Sequence, residues 1–461
     1  MKSVSSAALF ATVGLFVVGT AAPAKAADLG GDCCADLEER VAELEATSVR
    51  KGNRRVSLTI SGQVSTALMA WNDGSDAVAT PVKDKAPDIT RGRGNDVYVV
   101  DNVPSGGTFF ALTGDAKLNP QLTAGFNVTI ALDTGGRSHQ VSQLDDDGTS
   151  DPVRDAGARS AGGFDTDIVM TLANWYLDHK QLGRVTVGRI NTATAGVTTV
   201  DLGGAGVTAN SQIGYTQRGF FLAADGVAFN SSRTTWAAAL GGNTVNGAGL
   251  SRANAISYTS PTFGGFSVAT AWGDDDVWDV ALRYAGEAGG FRFAAAVGYI
   301  HNSSGLGDFS EEFAAASAPF AANAKISQVK GSASVLHVAT GLYLTGAYVN
   351  QDNDTPVAGL DDNTTLWYVQ GGVSKNWTGL GNTVLYGEYA RVQDARVDGT
   401  QFGGDLVPVD STVWGLGIVQ HIDAAAMELF LSYRQFSAEN TSNGADFDNF
   451  DVVMGGARIK F

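Results

Sequence analysis

The sequence predicts an all-β protein: a 16-stranded antiparallel transmembrane β-barrel with a long inward-folding third loop and a short N-terminal periplasmic helix. Three observations carry this. Stretches of ten or more residues alternate apolar and polar side chains, as in Leu122, Ala124, Phe126, Val128, Ile130 and Leu132. Soluble strands usually stop at about five or six residues, whereas a tilted membrane strand needs about nine to eleven. The connections between these stretches are alternately short and long, the asymmetry of outer-membrane barrels. Beyond the N-terminal leader, no run of 18 apolar residues offers a helical crossing instead.

Composition narrows the function. The 461 residues carry a net charge of −17 with 17% charged residues, which argues against a nucleic-acid partner, since that selects basic patches. The only cysteines are Cys33 and Cys34, so the body holds neither a disulfide framework nor a cysteine metal site. Mean hydropathy is −0.01, unlike a bundle of membrane helices.

The chain divides into residues 1–26, 27–52 and 53–461. Met1-Lys2 is a short basic start, Ala7–Ala22 is apolar and small, and Ala24-Lys25-Ala26 is a cleavage pattern. Together they read as a signal peptide cut after Ala26, whose removal takes Lys2 and Lys25 and brings the charge to −19. Asp36–Ser48 follows, with Leu37, Val41 and Leu44 at coiled-coil spacing. About two heptads cannot hold an isolated coil. Two readings stand: a solvated helix, or a bundle of identical helices on an already oligomeric body, with Cys33 and Cys34 free, locally oxidised or cross-linking subunits.

From Arg55 the strands begin. Val56, Leu58, Ile60, Val64 and Leu68 alternate with polar residues. Short turns are expected at Asn119-Pro120, His179–Gly183, Ser260–Gly265, Gly286–Gly290, Thr340-Gly341, Thr378–Gly381 and Ile422–Ala425. Longer loops are expected at Asn72–Gly106, Asp133–Asp165, Asn191–Ser251, Gly273–Asp276, Asn302–Ile326, Gln351–Asn363, Ala395–Asp410 and Ala438–Asn449. Seven turns and eight loops imply sixteen strands, an even number that puts both termini on the periplasmic side. Aromatics recur where strands meet connections, among them Trp71, Trp175, Tyr176, Trp272, Trp278, Tyr348, Trp367 and Trp414, as expected of rings at headgroup level. The last strand ends on Phe461, with Val453, Ala457 and Ile459 on one face and Arg458 and Lys460 on the other.

The stretch Asn191–Ser251 is too long for an ordinary connection. It is rich in glycine, carries Asp201 and Asp225, and is expected to narrow the lumen. Ala223–Asn230 within it reads as either a strand-like or a helical piece.

The leader, DCCADLEERVAELEATSVRKGNRRVSLTISGQV, WYLDHKQLGRVTVGR, SYTSPTFGGFSVATAWG and the terminal Phe461 resemble an alphaproteobacterial outer-membrane general porin of the rhizobial type over essentially the whole chain. The resemblance implies a homotrimer of barrels passing small hydrophilic solutes and ions by passive diffusion, with a third loop folded into each lumen. It implies a cell outer membrane location with lipopolysaccharide as neighbour, and for Arg252 a place at the constriction.

Strand parity then selects lumen residues. Arg283, Arg292, Arg434 and Arg458 fall opposite the apolar faces of their strands, and Arg189 and Arg252 bracket the long loop. The expected constriction is this basic wall facing Asp201 and Asp225, a transverse field that selects ions by sign; against it stands simple solvation or local ion pairing of each group. The acidic clusters in the long loops read as solvated, with divalent bridging to lipopolysaccharide as an extra. No G-x-S-x-G, H-E-x-x-H or phosphate-loop pattern occurs, and five histidines are scattered, so neither an enzyme nor a cofactor is expected. Two other functions remain in play: a solute-specific channel whose loop aromatics (Phe220, Phe221, Phe229, Trp236) form a track, and a structural tether to the cell wall through Leu37–Ser48.

Overall fold

Alternation over long stretches leaves a chain one stable arrangement in lipid: strands that close on themselves, so that no edge keeps unpaired backbone groups. The computed structural model has that form. It describes residues 56–75, 77–80, 88–90, 94–101, 106–133, 141, 143, 167–214, 219–229, 235–241, 252–273, 277–303, 325–353, 361–398 and 406–461. The signal peptide, Asp36–Ser48, Cys33 and Cys34 lie outside the described residues.

Sixteen antiparallel strands form the wall. They are β1 (Thr59–Asn72), β2 (Asn95–Asp101 continued by Thr108–Lys117), β3 (Leu122–Asp133), β4 (Asp167–His179), β5 (Gly183–Asn191), β6 (Arg252–Thr259), β7 (Phe266–Gly273) and β8 (Trp278–Ala288). Then come β9 (Phe291–Asn302), β10 (Ile326–His337), β11 (Leu342–Asn353), β12 (Asn363–Lys375), β13 (Thr383–Asp398), β14 (Leu406–Ile422), β15 (Met427–Asn440) and β16 (Phe450–Lys460). Each pairs with its sequence neighbour, and β16 closes on β1 from Gln63↔Lys460 to Asn72↔Asp451. Both segments of β2 pair with β1 in the same direction, so they count as one interrupted strand. A two-residue piece, Ala445–Asp446, folds back on the end of β15. No helix among the described residues is long and apolar enough to cross a membrane.

The outward face is apolar. Val64, Leu68, Ile168, Met170, Val268, Val297, Leu344, Leu416 and Leu431 are exposed, the arrangement expected where lipid is the solvent. Outward rings pair across neighbouring strands: Trp278 with Tyr299 at 5.3 Å near the long-loop ends of β8 and β9, and Trp367 with Tyr389 at 5.1 Å and Trp414 with Tyr433 at 5.3 Å farther along their strands. Two rings depart from the expected belt. Trp71 is buried inside, 4.9 Å from Phe220 and stacked on Phe450 at 6.3 Å, because on β1 it shares parity with Gln63, Ser65 and Met69, all buried. Tyr176 shares parity with Asn174 and Asp178 and also points inward.

The long third loop fills much of the lumen. It leaves β5 at Thr192, packs Ala193 and Val197 on Ile190, Ala269, Ala271, Ala281 and Ala296, and descends across β10. At Gly203 and Gly204 it reaches the feet of β11 and β14, where His421 lies beside the short turn Asp423–Ala425. It then climbs past β12 and β15 to the long-loop end, where Phe220, Leu222, Trp236 and Leu240 join Trp71, Phe436 and Phe450 in one core. Trp236–Ala239 is a single helical turn, α1, with Thr235 as N-cap. Ala223–Ala224 and Val227–Phe229 form a small hairpin that also pairs, in parallel, with Ala77–Thr80; the strand-like alternative for this piece is the one realised. The inner faces of β11 to β15 put many apolar residues beneath the loop, with Val349, Leu366, Val384, Val392, Val413, Val419 and Phe430 all buried, alongside buried polar groups such as Gln370, Glu388 and Arg434. These strands carry apolar residues on both faces, since lipid covers one and the loop the other.

Candidate functional site

The loop root is gripped by one strand. On β8, Asp279 and Arg283 lie four residues apart, hence on the same inner face. The Asp279 carboxylate accepts from the Ala193 N–H at 3.0 Å, the Thr194 N–H at 2.6 Å and the Thr194 hydroxyl at 2.8 Å. The Arg283 guanidinium donates to the Ala193 carbonyl at 2.6 Å and the Ala195 carbonyl at 2.9 Å. An irregular segment cannot satisfy its own backbone; here an acid takes the donors and a base the acceptors. Farther down, Ser332 donates to the Val197 carbonyl at 2.7 Å and accepts from the Val200 N–H at 3.1 Å, and Ser334 accepts from the Leu202 N–H at 3.1 Å.

At its lowest point the loop turns on Asp201. One carboxylate oxygen accepts from the Gly203 N–H at 2.7 Å, the other from Gly204, Ala205 and Gly206 at 3.1, 2.9 and 3.1 Å. Burial raises this carboxyl above its ordinary range, and the four backbone donors oppose the rise. Gly203 is needed here, because a Cβ would run into the ring of Tyr343. Gly204 has φ +87° and offers its carbonyl to His421 Nε2 at 3.0 Å. A cavity of about 230 Å³ lies at this foot, lined by Leu202, Gly203, Gly204, Ser374, Asn382, His421 and Asp423.

The loop's upper half is held by Gln143. Its carboxamide donates to Asp73 at 2.6 Å and to the Phe221 carbonyl at 2.9 Å, and accepts from the Phe221 N–H at 2.9 Å. Burial raises the Asp73 carboxyl, partly offset by its bonds to Gln143 and Ser75. Ser411 caps the Ala239 carbonyl at 2.7 Å.

The expected basic wall is brought together only in part. Arg283, Arg292, Arg434 and Arg458 face inward as parity requires, but none of them meets an acid of the loop. Arg434 makes a two-point pair with Glu388, at 2.6 and 3.1 Å, with side-chain exposures of 5% and 1%. Tyr368 donates to the same carboxylate at 2.8 Å. Arg458 and Lys460 both bind Glu428. Arg292 pairs with Glu287 at 3.0 Å on the exposed short-turn rim. Arg189 and Arg252 correct the expectation: their registers, Arg189↔Ala173 and Arg252↔Asn191, put them on the side of Trp175, Val187 and Ile256, facing outward. The inward places belong to Ile190, which packs beneath the loop, and Ala253, which packs on Val277 and Ile300. Asp201 is enclosed by its own turn rather than facing the wall. Asp225 is exposed at a hairpin turn with φ +51°, beside Gly226, whose N–H binds Asp448 at 3.0 Å.

Inward arginines of the wall are instead opposed by wall acids, among them Glu388, Glu428, Glu287 and Asp178. Sequence reasoning passed over them, although the parity count that selected Arg434 applies equally to Glu388 and Glu428. It also missed Lys330, which is buried and whose Nζ meets no hydrogen-bond partner among the described residues.

A family model of Gram-negative porins matches residues 8–405. A search of curated protein sequences finds no match. Among solved structures, the anion-selective porin from Comamonas acidovorans aligns over 88% of this chain and 100% of that chain, at 16% identity and a TM-score of 0.52. Pseudomonas putida OprB at high pH aligns over 92% and 97%, at 13% identity and 0.49, and Salmonella typhi OmpF in complex with daunomycin over 89% and 99%, at 12% identity and 0.46. At such identities the likeness concerns the fold; the family rests on the sequence match, which spans most of the chain. The family match and the closed sixteen-stranded wall agree: the chain belongs to the Gram-negative porins and forms a diffusion channel in the outer membrane.

Proposed function

We propose that this porin is a passive, weakly selective channel for small hydrophilic solutes and ions, narrowed by a loop that stays seated. The observation that carries this is the mutual neutralisation of the lumen charges. Arg434 with Glu388, Arg458 and Lys460 with Glu428, and Arg292 with Glu287 leave little uncompensated field of one sign, and a small field selects weakly among ions. Single-channel recording in planar bilayers under a salt gradient tests it. A current linear in solute concentration with a reversal potential near zero supports the reading; saturation by one solute at low concentration would overturn it. The solute-specific alternative finds no support in the loop aromatics, since Phe220, Phe221 and Trp236 are buried in packing.

The finer assignments belong to the same proposal. The chain is of the alphaproteobacterial, rhizobial type; residues 1–26 are its cleaved signal peptide; 27–52 form a periplasmic helix; 53–461 form the barrel. The active unit is a homotrimer among lipopolysaccharide, and the apolar outer face supports subunit packing as readily as lipid contact. Deleting Asp28–Lys51 tests the helix: its trimers should dissociate at lower temperature than those of the full protein, and unchanged trimers would remove the helix from the assembly.

A further inference from the structure

The loop divides the inner wall into a covered part and a wet part. Inward residues from β7 round to β1 lie almost entirely beneath it: Ala271, Ala296, Lys330, Ala347, Leu366, Val384, Val413, Phe430, Met454 and Met69 are all buried. The inner face of β3 to β5 is different. Asn127 stands opposite Asn174, Tyr176 opposite Thr186 and Asp178 opposite Arg184, and all six keep partial exposure. The two kinds of ion pair mark the contrast. Arg184 and Asp178, joined at 2.6 Å, keep side-chain exposures of 32% and 36%, against 5% and 1% for Arg434 and Glu388.

A second observation concerns the shape of this face. Gly125 leaves no Cβ beneath Tyr176, and one built there would strike the ring. The ring therefore lies flat on the wall, with the Arg184 guanidinium 4.3 Å from its centre. A residue with a Cβ at Gly125 would stand the ring up into the lumen. Glycine, tyrosine and arginine are layered in a way that keeps space free in front of the strands.

We infer that the permeation route runs along the inner face of β3 to β5, and that its lining suits small uncharged or zwitterionic hydrogen-bonding solutes. This rests on the channel reading above and adds its path and lining. Asn127, Asn174 and Thr186 offer both donors and acceptors, and the Arg184–Asp178 pair adds balanced charge of both signs. A solute shedding water can exchange hydrogen bonds along these side chains, and neither ion sign gains. Of the arginines expected to do this work, Arg283 is committed to the loop, Arg434 and Arg458 to buried pairs, Arg292 to a pair on the rim, and Arg189 and Arg252 turn outward.

The test uses the full chain with Cys33→Ser and Cys34→Ser as background. Cysteines are placed at Asn127 and Thr186 on the wet face, and at Ala347 and Ser432 beneath the loop. A charged, water-soluble methanethiosulfonate is added during single-channel recording. The expected result is a stepwise loss of current at Asn127→Cys and Thr186→Cys and none at Ala347→Cys or Ser432→Cys. Independently, Asn127→Asp and Asn127→Lys should shift the reversal potential toward cation and anion preference respectively. Loss of current at the covered positions, or none at Asn127 and Thr186 in a channel that conducts, overturns the route. A background protein that folds but does not conduct overturns the channel reading itself, a separate failure. Heat-modifiable migration on gels shows that each variant is a folded barrel.

Discussion

At the scale of single residues, charge here serves structure before selectivity. Asp201 was expected to act through its field, yet its oxygens are spent on four backbone N–H groups. Asp201→Asn turns one acceptor into a donor facing those N–H groups, at a cost of about 1–3 kcal/mol for donors left unsatisfied. The expected outcome is faster cleavage of the loop in limited proteolysis with an unchanged reversal potential. A clear fall in cation preference would restore the field role. Arg434 is the stronger case. Arg434→Met leaves Glu388 buried and unpaired, which typically costs about 3–5 kcal/mol. The temperature at which the barrel unfolds in detergent should drop, and adding Glu388→Gln should recover most of the loss. Equal destabilisation by the double variant would show that the pair is not what holds the site.

At the scale of elements, the loop is a plug with a defined root. Its first residues are fixed by Asp279 and Arg283 from a single strand, so loosening should begin there. Asp279→Asn keeps one acceptor oxygen but puts an amide toward the Thr194 and Ala193 donors. Larger single-channel conductance and faster liposome swelling with bulky sugars are expected from a barrel that still folds. Unchanged conductance and exclusion limit would mean that the root does not set the aperture. The seven short turns and the sixteen strands were legible from alternation and connection length, because a two-residue period survives any tertiary arrangement. The path of the loop was not, because its backbone is satisfied by Asp279, Ser332, Ser334 and Gln143, which lie far from it in sequence.

At the scale of the molecule, two solvents set the composition of each strand. The outer face answers to lipid all round the barrel. The inner face answers to the loop over most of its circumference and to water along β3 to β5. Val297, exposed near the middle of β9, should therefore tolerate no charge. Val297→Arg should cost about 2–4 kcal/mol when folding is measured into lipid vesicles. Thr186→Arg on the wet inner face should cost much less, and equal costs would contradict the assignment of faces.

The sequence by itself determined the barrel, its strand count, the parity of Arg283, Arg292, Arg434 and Arg458 and the position of the intruding loop. Each follows from local periodicity, and periodicity is written in consecutive residues. Only the tertiary structure decided which partner each inward charge found. That outcome depends on what arrives from hundreds of residues away to cover a given patch of wall, and a one-dimensional pattern carries no record of that. The outward turn of Arg189 and Arg252 and the inward place of Trp71, by contrast, follow strand parity, the same local pattern that placed the other arginines.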